Sequence, residues 1–196
     1  MRMTDLRITA EPPTCLLDYA RVPSAFDVTG RLDASSGEIA PIAKPFVKNY
    51  DAHRGHHPTE WPQRFDVSRW CFVAAFMGDR RVGGAVVVPD VADVEPDLAA
   101  PDAALLWDIR VMPDARRLGV ARALLAFAES RARAPGRLRM LVETQNINVP
   151  ACRLYAAAGY VLVRVEPHAY PSLPDETRLI WQKQLSPGKP EQEVPA

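Results

Sequence analysis

The sequence predicts a single-domain α/β protein with a mixed sheet of roughly six or seven strands built around a βαβα unit. Three observations carry this. The chain has 196 residues, enough for one sizeable core and cramped for two. Between Leu105 and Ala158 the hydrophobic pattern switches twice from strand-like alternation to helix-like stripes. Upstream, two apolar runs flank a turn at Gly78-Asp79-Arg80, the pattern of an antiparallel hairpin.

In chain order, residues 1–40 carry no legible signal. Met1 to Ala10 mixes Arg2, Asp5 and Arg7 with apolar residues and has no apolar core of a secretion signal. The hairpin strands are Trp70 to Met77 and Arg81 to Val88. Pro89 to Asp102 holds three prolines among five acidic residues and reads as irregular loop. A strand follows over Leu105 to Val111, in which Leu105, Trp107, Ile109 and Val111 alternate with Leu106, Asp108 and Arg110. Pro113 stops it. A helix runs from about Gly119 to Arg133, with Val120, Leu124, Phe127 and Ala128 on one stripe and Arg122, Glu129 and Arg133 off it. Pro135 and Gly136 end that helix. Leu138 to Thr144 is a strand and Asn148 to Ala158 a helix, with Asn148 as N-cap, Pro150 in the first turn and Gly159 at C′. Right-handed crossover of this unit leaves its two strands parallel. Tyr160 to Val165 and Thr177 to Leu185 supply two more strands, and Ser186 to Ala196, rich in proline and charge, reads as a disordered tail. The expected division is therefore 1–40, a segment without assigned role; 41–185, the folded domain; and 186–196, the tail.

Composition narrows the partners. Lys plus Arg and Asp plus Glu each total 24, so no basic excess draws the chain to nucleic acid or an anionic membrane. No apolar run approaches the roughly 20 residues of a spanning helix. Cys15, Cys71 and Cys152 form no C-x-x-C pair, which argues against a disulfide frame or zinc and fits a reducing, cytoplasmic setting. His53, His56, His57 and Asp51 lack a second ligand cluster, so no metal is expected. Small molecules or proteins remain as partners.

The segment Arg116-Arg117-Leu118-Gly119-Val120-Ala121 joins a strand to a helix, where unpaired N–H groups and the helix dipole favour an anion. Gly119 lets the backbone approach closely, Ala121 keeps the first turn narrow, and the two arginines can add charge-assisted bonds. Walker and dinucleotide fingerprints are missing, which points away from ATP and NAD. The same six residues could also do no more than start a helix.

Val111-x-Pro113-x-x-Arg116-Arg117-x-Gly119-Val120-Ala121-x-x-Leu124-Leu125 resembles the coenzyme A motif of the GNAT N-acetyltransferases, with Ala121 at the position where the motif accepts glycine or alanine. Glu143 to Tyr155, closing at Ala158-Gly159-Tyr160, resembles the family's second motif. Leu106-Trp107-Asp108-Ile109-Arg110-Val111, Pro58-Thr59-Glu60-Trp61, and Ala169-Tyr170-Pro171 through Glu176 are similar to streptothricin acetyltransferases. The resemblance spans about residues 44 to 185. It implies a mostly antiparallel GNAT sheet whose central parallel unit splays to hold acetyl-CoA, gripped by Ile109, Val111, Arg116 to Ala121, Asn148, Ala151 and Tyr155. It implies direct acetyl transfer to an amine, with Tyr155 as the acid for the departing thiolate.

An amine of pKa about 10.4 must lose a proton before it can attack. Asp108 and Glu143, near the C-terminal ends of adjacent strands, are the candidate acceptors of that proton and contacts for the amine. An ion pair of Asp108 with Arg110 is the competing structural duty, and core packing competes for Tyr155. Tyr50, Trp61, Trp107 and Tyr170 are candidate walls of the acceptor site, since aromatic faces take both methylenes and ammonium. Cys152 reads as an inert packed thiol. The expected acceptor is a small cationic amine of the streptothricin kind, drawn by the acidic stretch Asp90 to Asp102 with Asp175 and Glu176. Protein, peptide or polyamine acceptors, or an acyl-CoA sensor without turnover, are the alternatives. Residues 1–40 are left to shape the acceptor pocket or a homodimer interface.

Overall fold

The computed structural model describes residues 6–134 and 136–185. Seven strands form one sheet in the order β1-β4-β5-β6-β7-β9-β8. They are β1 (Leu6–Glu11), β4 (Cys71–Met77), β5 (Arg80–Val88), β6 (Ala103–Val111), β7 (Arg139–Gln145), β8 (Val161–Glu166) and β9 (Arg178–Gln184). Every neighbouring pair is antiparallel except β6 with β7. That parallel pair follows from the crossover through α2 (Val120–Arg133), whose length and apolar stripe suit it to lie across two strands.

Two apolar layers sandwich the sheet. On one face α2 and α3 (Val149–Ala157) deliver Val120, Leu124, Ala128, Cys152 and Tyr155 against Val82, Leu106, Val142 and Trp181. The opposite face has no long helix. There Tyr19, from the four-residue helix α1 (Leu16–Tyr19), joins Trp61, Trp70, Phe72 and Leu98 over Val86, Leu105, Leu141 and Ile180. Alternate strand residues thus supply both layers, as the two-residue period of a doubly covered sheet requires.

The central strands separate. β6 and β7 pair only from Ala103↔Arg139 to Leu106↔Val142. Trp107 is the extra residue of a bulge, since Leu106 opposes Val87 and Asp108 opposes Val86 on β5. From Trp107 onward β6 keeps β5 as its neighbour and has no ladder partner in β7. β7 meanwhile stays paired to β9 as far as Gln145↔Arg178.

A separate two-stranded arm, β2 (Phe26–Leu32) with β3 (Ile39–Lys48), crosses the mouth of this opening. Ala25, just before β2, accepts a bond of 2.7 Å from Arg116 beyond the end of β6. Leu32, at the end of β2, donates 2.8 Å to the Asn146 carbonyl beyond the end of β7.

Several expectations are refined here. Residues 6–40 are part of the fold: they supply β1, the buried Tyr19 and the arm, and a boundary at residue 41 runs through β3. The 89–102 stretch forms two short 3-10 turns, Val91–Asp93 and Pro96–Leu98, the first capped by Asp90. Glu129 is not on a solvent face but buried, because Lys183 of β9 bonds both its oxygens at 2.9 and 2.8 Å. The tail 186–196 and Pro135 lie outside the described residues. No helix among the described residues is long and apolar enough to cross a membrane.

Candidate active site

Strand alternation sets which side chains face the opening. Glu143 opposes Ile180 across the β7–β9 ladder, so it lies on the face covered by Tyr19 and the tryptophans. Asp108 reaches the same face, where the fully buried Tyr19 hydroxyl donates to its Oδ2 at 2.6 Å. The two carboxylates flank the splay from its two strands.

Each is held by a guanidinium. Arg110, two residues along the same strand, donates from Nε to Asp108 Oδ2 at 2.6 Å. Its Nη1 reaches the Val22 carbonyl at 3.0 Å and Asp51 at 3.2 Å. Burial works against the Arg110 charge, but Asp108, Tyr19 and Asp51 outweigh it and hold the group firmly protonated. Burial and the neighbouring Asp108 raise the Tyr19 phenol, so it stays a donor. Glu143 accepts from Tyr170 at 2.8 Å on one oxygen and from Arg178 Nε at 2.6 Å on the other. Burial, then the charge of Glu143, raises the Tyr170 phenol as well.

Tyr155 comes from the helical face. Asn148 caps α3 through a 3.2 Å bond from the Ala151 N–H, which fixes the first turn from which Tyr155 follows two turns on. The ring packs on Tyr160 and Trp181. Its hydroxyl makes no hydrogen bond to a described residue, and burial, followed by Tyr50 and Asp108, raises its pKa. Tyr50 closes the β7 lip: its hydroxyl donates to Gln145 Oε1 and accepts from Asn148 Nδ2 at 3.3 Å. Cys152 is buried and its thiol is pushed up to about 12, chiefly by desolvation.

At the end of β6 the backbone opens into the α2 N-terminus. Gly119 is the N-cap at φ +81°, with no side chain bonded to the helix end. Arg117 has φ +63° and is exposed. Left-handed conformations next to a helix start gather N–H groups around a shared concavity, which suits a phosphate. The guanidinium of Arg116 points inward: Nε bonds the Val111 carbonyl at 3.1 Å and Nη2 the Ala25 carbonyl at 2.7 Å, tying the loop to β6 and the arm. Leu118 and Ala121 pack against the helical-face core, and Val120 lies inside it. Ile109 and Val111 belong to the stretch of β6 without a β7 partner, next to this loop. The residues therefore fit acetyl-CoA: unpaired strand backbone for an amide-bearing chain and an uncapped, glycine-started helix for its pyrophosphate.

The aromatic candidates separate. Trp61 is 2 % exposed, bonded to the His56 carbonyl and packed edge-on to Trp107 at 6.2 Å, and it belongs to the core. Trp107 is half-buried and also meets Phe65 and Trp70. Tyr50 and Tyr170 bond directly to residues at the lips. Among the described residues no His, Cys, Asp and Glu group is arranged to hold a metal ion.

Tyr19 and Arg178, not singled out from the sequence, complete the site, with Gln145 of the second motif and Glu95 of the acidic stretch. Arg178 also bonds Glu95 at 3.0 Å, Asp97 at 2.8 Å and Glu166 at 3.1 Å. Much of the acidic stretch is thus paired internally, with Asp93 on Arg69 and Asp102 on Arg139 as further examples. Arg178 pairs with Gln145 across the β7–β9 ladder, a register without a local signal in the sequence.

Residues 42–160 match the acetyltransferase (GNAT) family. The chain is 35 % identical over 152 residues to a streptothricin acetyltransferase of Escherichia coli, covering 76 % of this chain and 74 % of that protein. It is also 35 % identical over 80 residues to streptothricin acetyltransferase A of Bacillus subtilis (strain 168), covering 40 % and 46 %. Among solved structures, a putative streptothricin acetyltransferase from Bacillus anthracis str. Ames in complex with acetyl coenzyme A superposes with TM-score 0.72 at 22 % identity, over 91 % of this chain and 98 % of that one. A nourseothricin acetyltransferase superposes with TM-score 0.70 at 20 % identity, over 93 % and 99 %. These two likenesses concern the fold. The chain belongs to the acetyltransferase (GNAT) family and is an acetyl-CoA-dependent N-acetyltransferase.

Proposed function

We propose that the chain moves an acetyl group directly onto a primary amine of a small cationic acceptor, a streptothricin-type antibiotic, with Asp108, Glu143 and Tyr155 carrying the proton transfers. One observation carries the mechanism: two carboxylates, each fixed by a guanidinium and a tyrosine, flank the splay of β6 and β7 on the face opposite α3. The curated relatives named for streptothricin support the acceptor.

Acetyl-CoA, bound along the unpaired stretch of β6, supplies the activated acetyl group as a thioester. The residues do the rest. The acceptor enters as an ammonium, and Asp108 or Glu143, directly or through water, takes one proton from it. Guanidinium partners keep these carboxylates oriented toward the approaching cation. The freed nitrogen lone pair forms the C–N bond as the C–S bond breaks, and the sulfur leaves with the electron pair. Tyr155, whose raised pKa keeps it protonated, donates its proton there, and the second proton shed by the acetylated nitrogen restores the phenol, directly or through water. Asn148, Ala151, Arg117 and the Gly119 turn hold the cofactor chain, while Tyr50 and Tyr170 wall the amine. Acetylation removes one positive charge from the acceptor.

The test is thiol release from acetyl-CoA over a panel of streptothricin, aminoglycosides, polyamines, free lysine and a lysine-bearing peptide. Selective turnover of streptothricin is expected. Turnover of the other amines alone keeps the chemistry and discards the antibiotic. Silence throughout, with calorimetric binding of acetyl-CoA, would mark a sensor.

A further inference from the structure

Next to the Tyr50 lip, between β3 and the segment 172–176 that leads into β9, lies a groove of about 650 Å3. Phe46, Ile42 and Ile147 give it apolar walls, and Arg31 and Lys44 stand along it. Glu176 lines it too and is only 7 % exposed. One of its oxygens takes the Lys48 ammonium at 2.7 Å. The other, Oε2, is buried without a hydrogen-bond partner among the described residues. Desolvating a carboxylate oxygen without giving it a donor is costly, so such an atom in a residue that lines a cavity marks a place for a donor from a ligand.

Position ties this groove to the acceptor. Asn146 and Thr177 exchange two bonds of 3.0 Å, which pin the segment holding Glu176 to the end of β7. Glu176 is near enough to Tyr50 to raise its phenol electrostatically, after the larger effect of burial. Charge limits what the groove accepts. Glu176 is already paired with Lys48, and Arg31 and Lys44 outnumber the one other lining carboxylate, Asp175, so a second ammonium gains little there. A neutral group that donates N–H or O–H to Oε2 and offers carbonyl or hydroxyl oxygens to the two cations fits better.

Resting on the functional reading above, we infer that this groove binds the body of an extended acceptor, with Glu176 accepting a hydrogen bond from an amide, carbamoyl or hydroxyl group remote from the reacting amine. Glu176 is a specificity-determining residue for extended polar amines, and Phe46 is the apolar wall behind them.

Glu176→Gln keeps one oxygen for Lys48 and replaces the free oxygen by a donor. With streptothricin as the probe, KM should rise at least about tenfold with kcat within about twofold, since the lost contact is equal in ground and transition states. Phe46→Ser, at a residue 47 % exposed and able to take the change without loss of fold, should raise the same KM by about threefold or more. An unmoved KM in both variants overturns the inference, as does an equal loss for streptothricin and for free lysine. A Phe46→Ser change that converts a dimer to monomer in sedimentation and leaves KM unmoved makes the groove an interface between copies and also overturns it. Wild-type enzyme that turns over no amine sinks the functional reading, and this inference with it.

Discussion

Arg178 serves Glu95, Asp97, Glu143 and Glu166 at once, and a single guanidinium cannot neutralise all four. The consequence falls on Glu95. Its burial, reinforced by the charge of Glu143, outweighs Arg178 and raises its pKa from 4.5 to about 7. Between those two values the folded state holds a proton that the unfolded state has lost. Stability from this group is therefore present below about pH 4.5 and lost as pH rises to about 7. Glu95→Gln should flatten the decline of stability across that window and leave the variant relatively more stable above it. Urea titrations at pH 5 and pH 8 check this; an unchanged difference between wild type and variant at the two pH values would contradict it. At the same scale, Tyr155→Phe should lower kcat by roughly 10²-fold with little change in acetyl-CoA affinity, and a wild-type rate would eliminate the acid role. The Asp108–Arg110 pair was legible because two residues on one strand face are neighbours. Tyr19, 89 residues from Asp108, and Arg178, 35 from Glu143, become neighbours only through the fold, and nothing local announces them.

Among elements, β5 shows how tightly the Asp108 support is packed. A Cβ on Gly84 would stand 2.5 Å from Tyr19 Cε2 and 3.0 Å from the Val73 carbonyl. Glycine there is what lets the Tyr19 ring come close enough to the sheet to reach Asp108. Gly84→Ala should destabilise by roughly 1–3 kcal/mol and lower Tm by several degrees. It should also depress kcat/KM by moving Tyr19; a variant equal to wild type in both would refute the coupling. The hairpin β4–β5, β6, α2, β7 and α3 could be read from apolar runs, stripes, caps and turns because the strands are buried along most of their length and the helices along one side. The arm could not. Pro41 and Pro45 lie in β3, nearly all of which is exposed, so it carries proline where a strand is usually free of it and lacks a buried face to impose alternation. β1 escaped for a related reason: it is short, at the sheet edge and half-exposed.

For the molecule as a whole, β6 and β7 lack ladder bonds beyond Leu106 and Val142, the place proposed for acetyl-CoA, so stability and occupancy should be linked. Acetyl-CoA at about 100 times its Kd should add about 2.7 kcal/mol and raise Tm by roughly 5–10 °C. Gly119→Asp, which puts a side chain and a negative charge at the α2 N-terminus, should abolish that shift. A full shift in the variant would remove the turn from the cofactor site. The mixed α/β architecture was legible because strand–helix alternation constrains it strongly. The strand order was not, because β9 inserts between β7 and β8 and no local pattern encodes that crossing. That insertion has a consequence during synthesis. β8 is made before β9, yet β9 is its neighbour in the sheet, and Val161, Val163 and Val165 on β8 are exposed even in the finished protein. While the chain emerges, β8 waits as an unpaired, valine-rich strand and β7 keeps one edge open. The sheet is completed from its interior by a strand made after both of its neighbours, so between the synthesis of β8 and that of β9 the nascent chain carries two unpaired edges open to association.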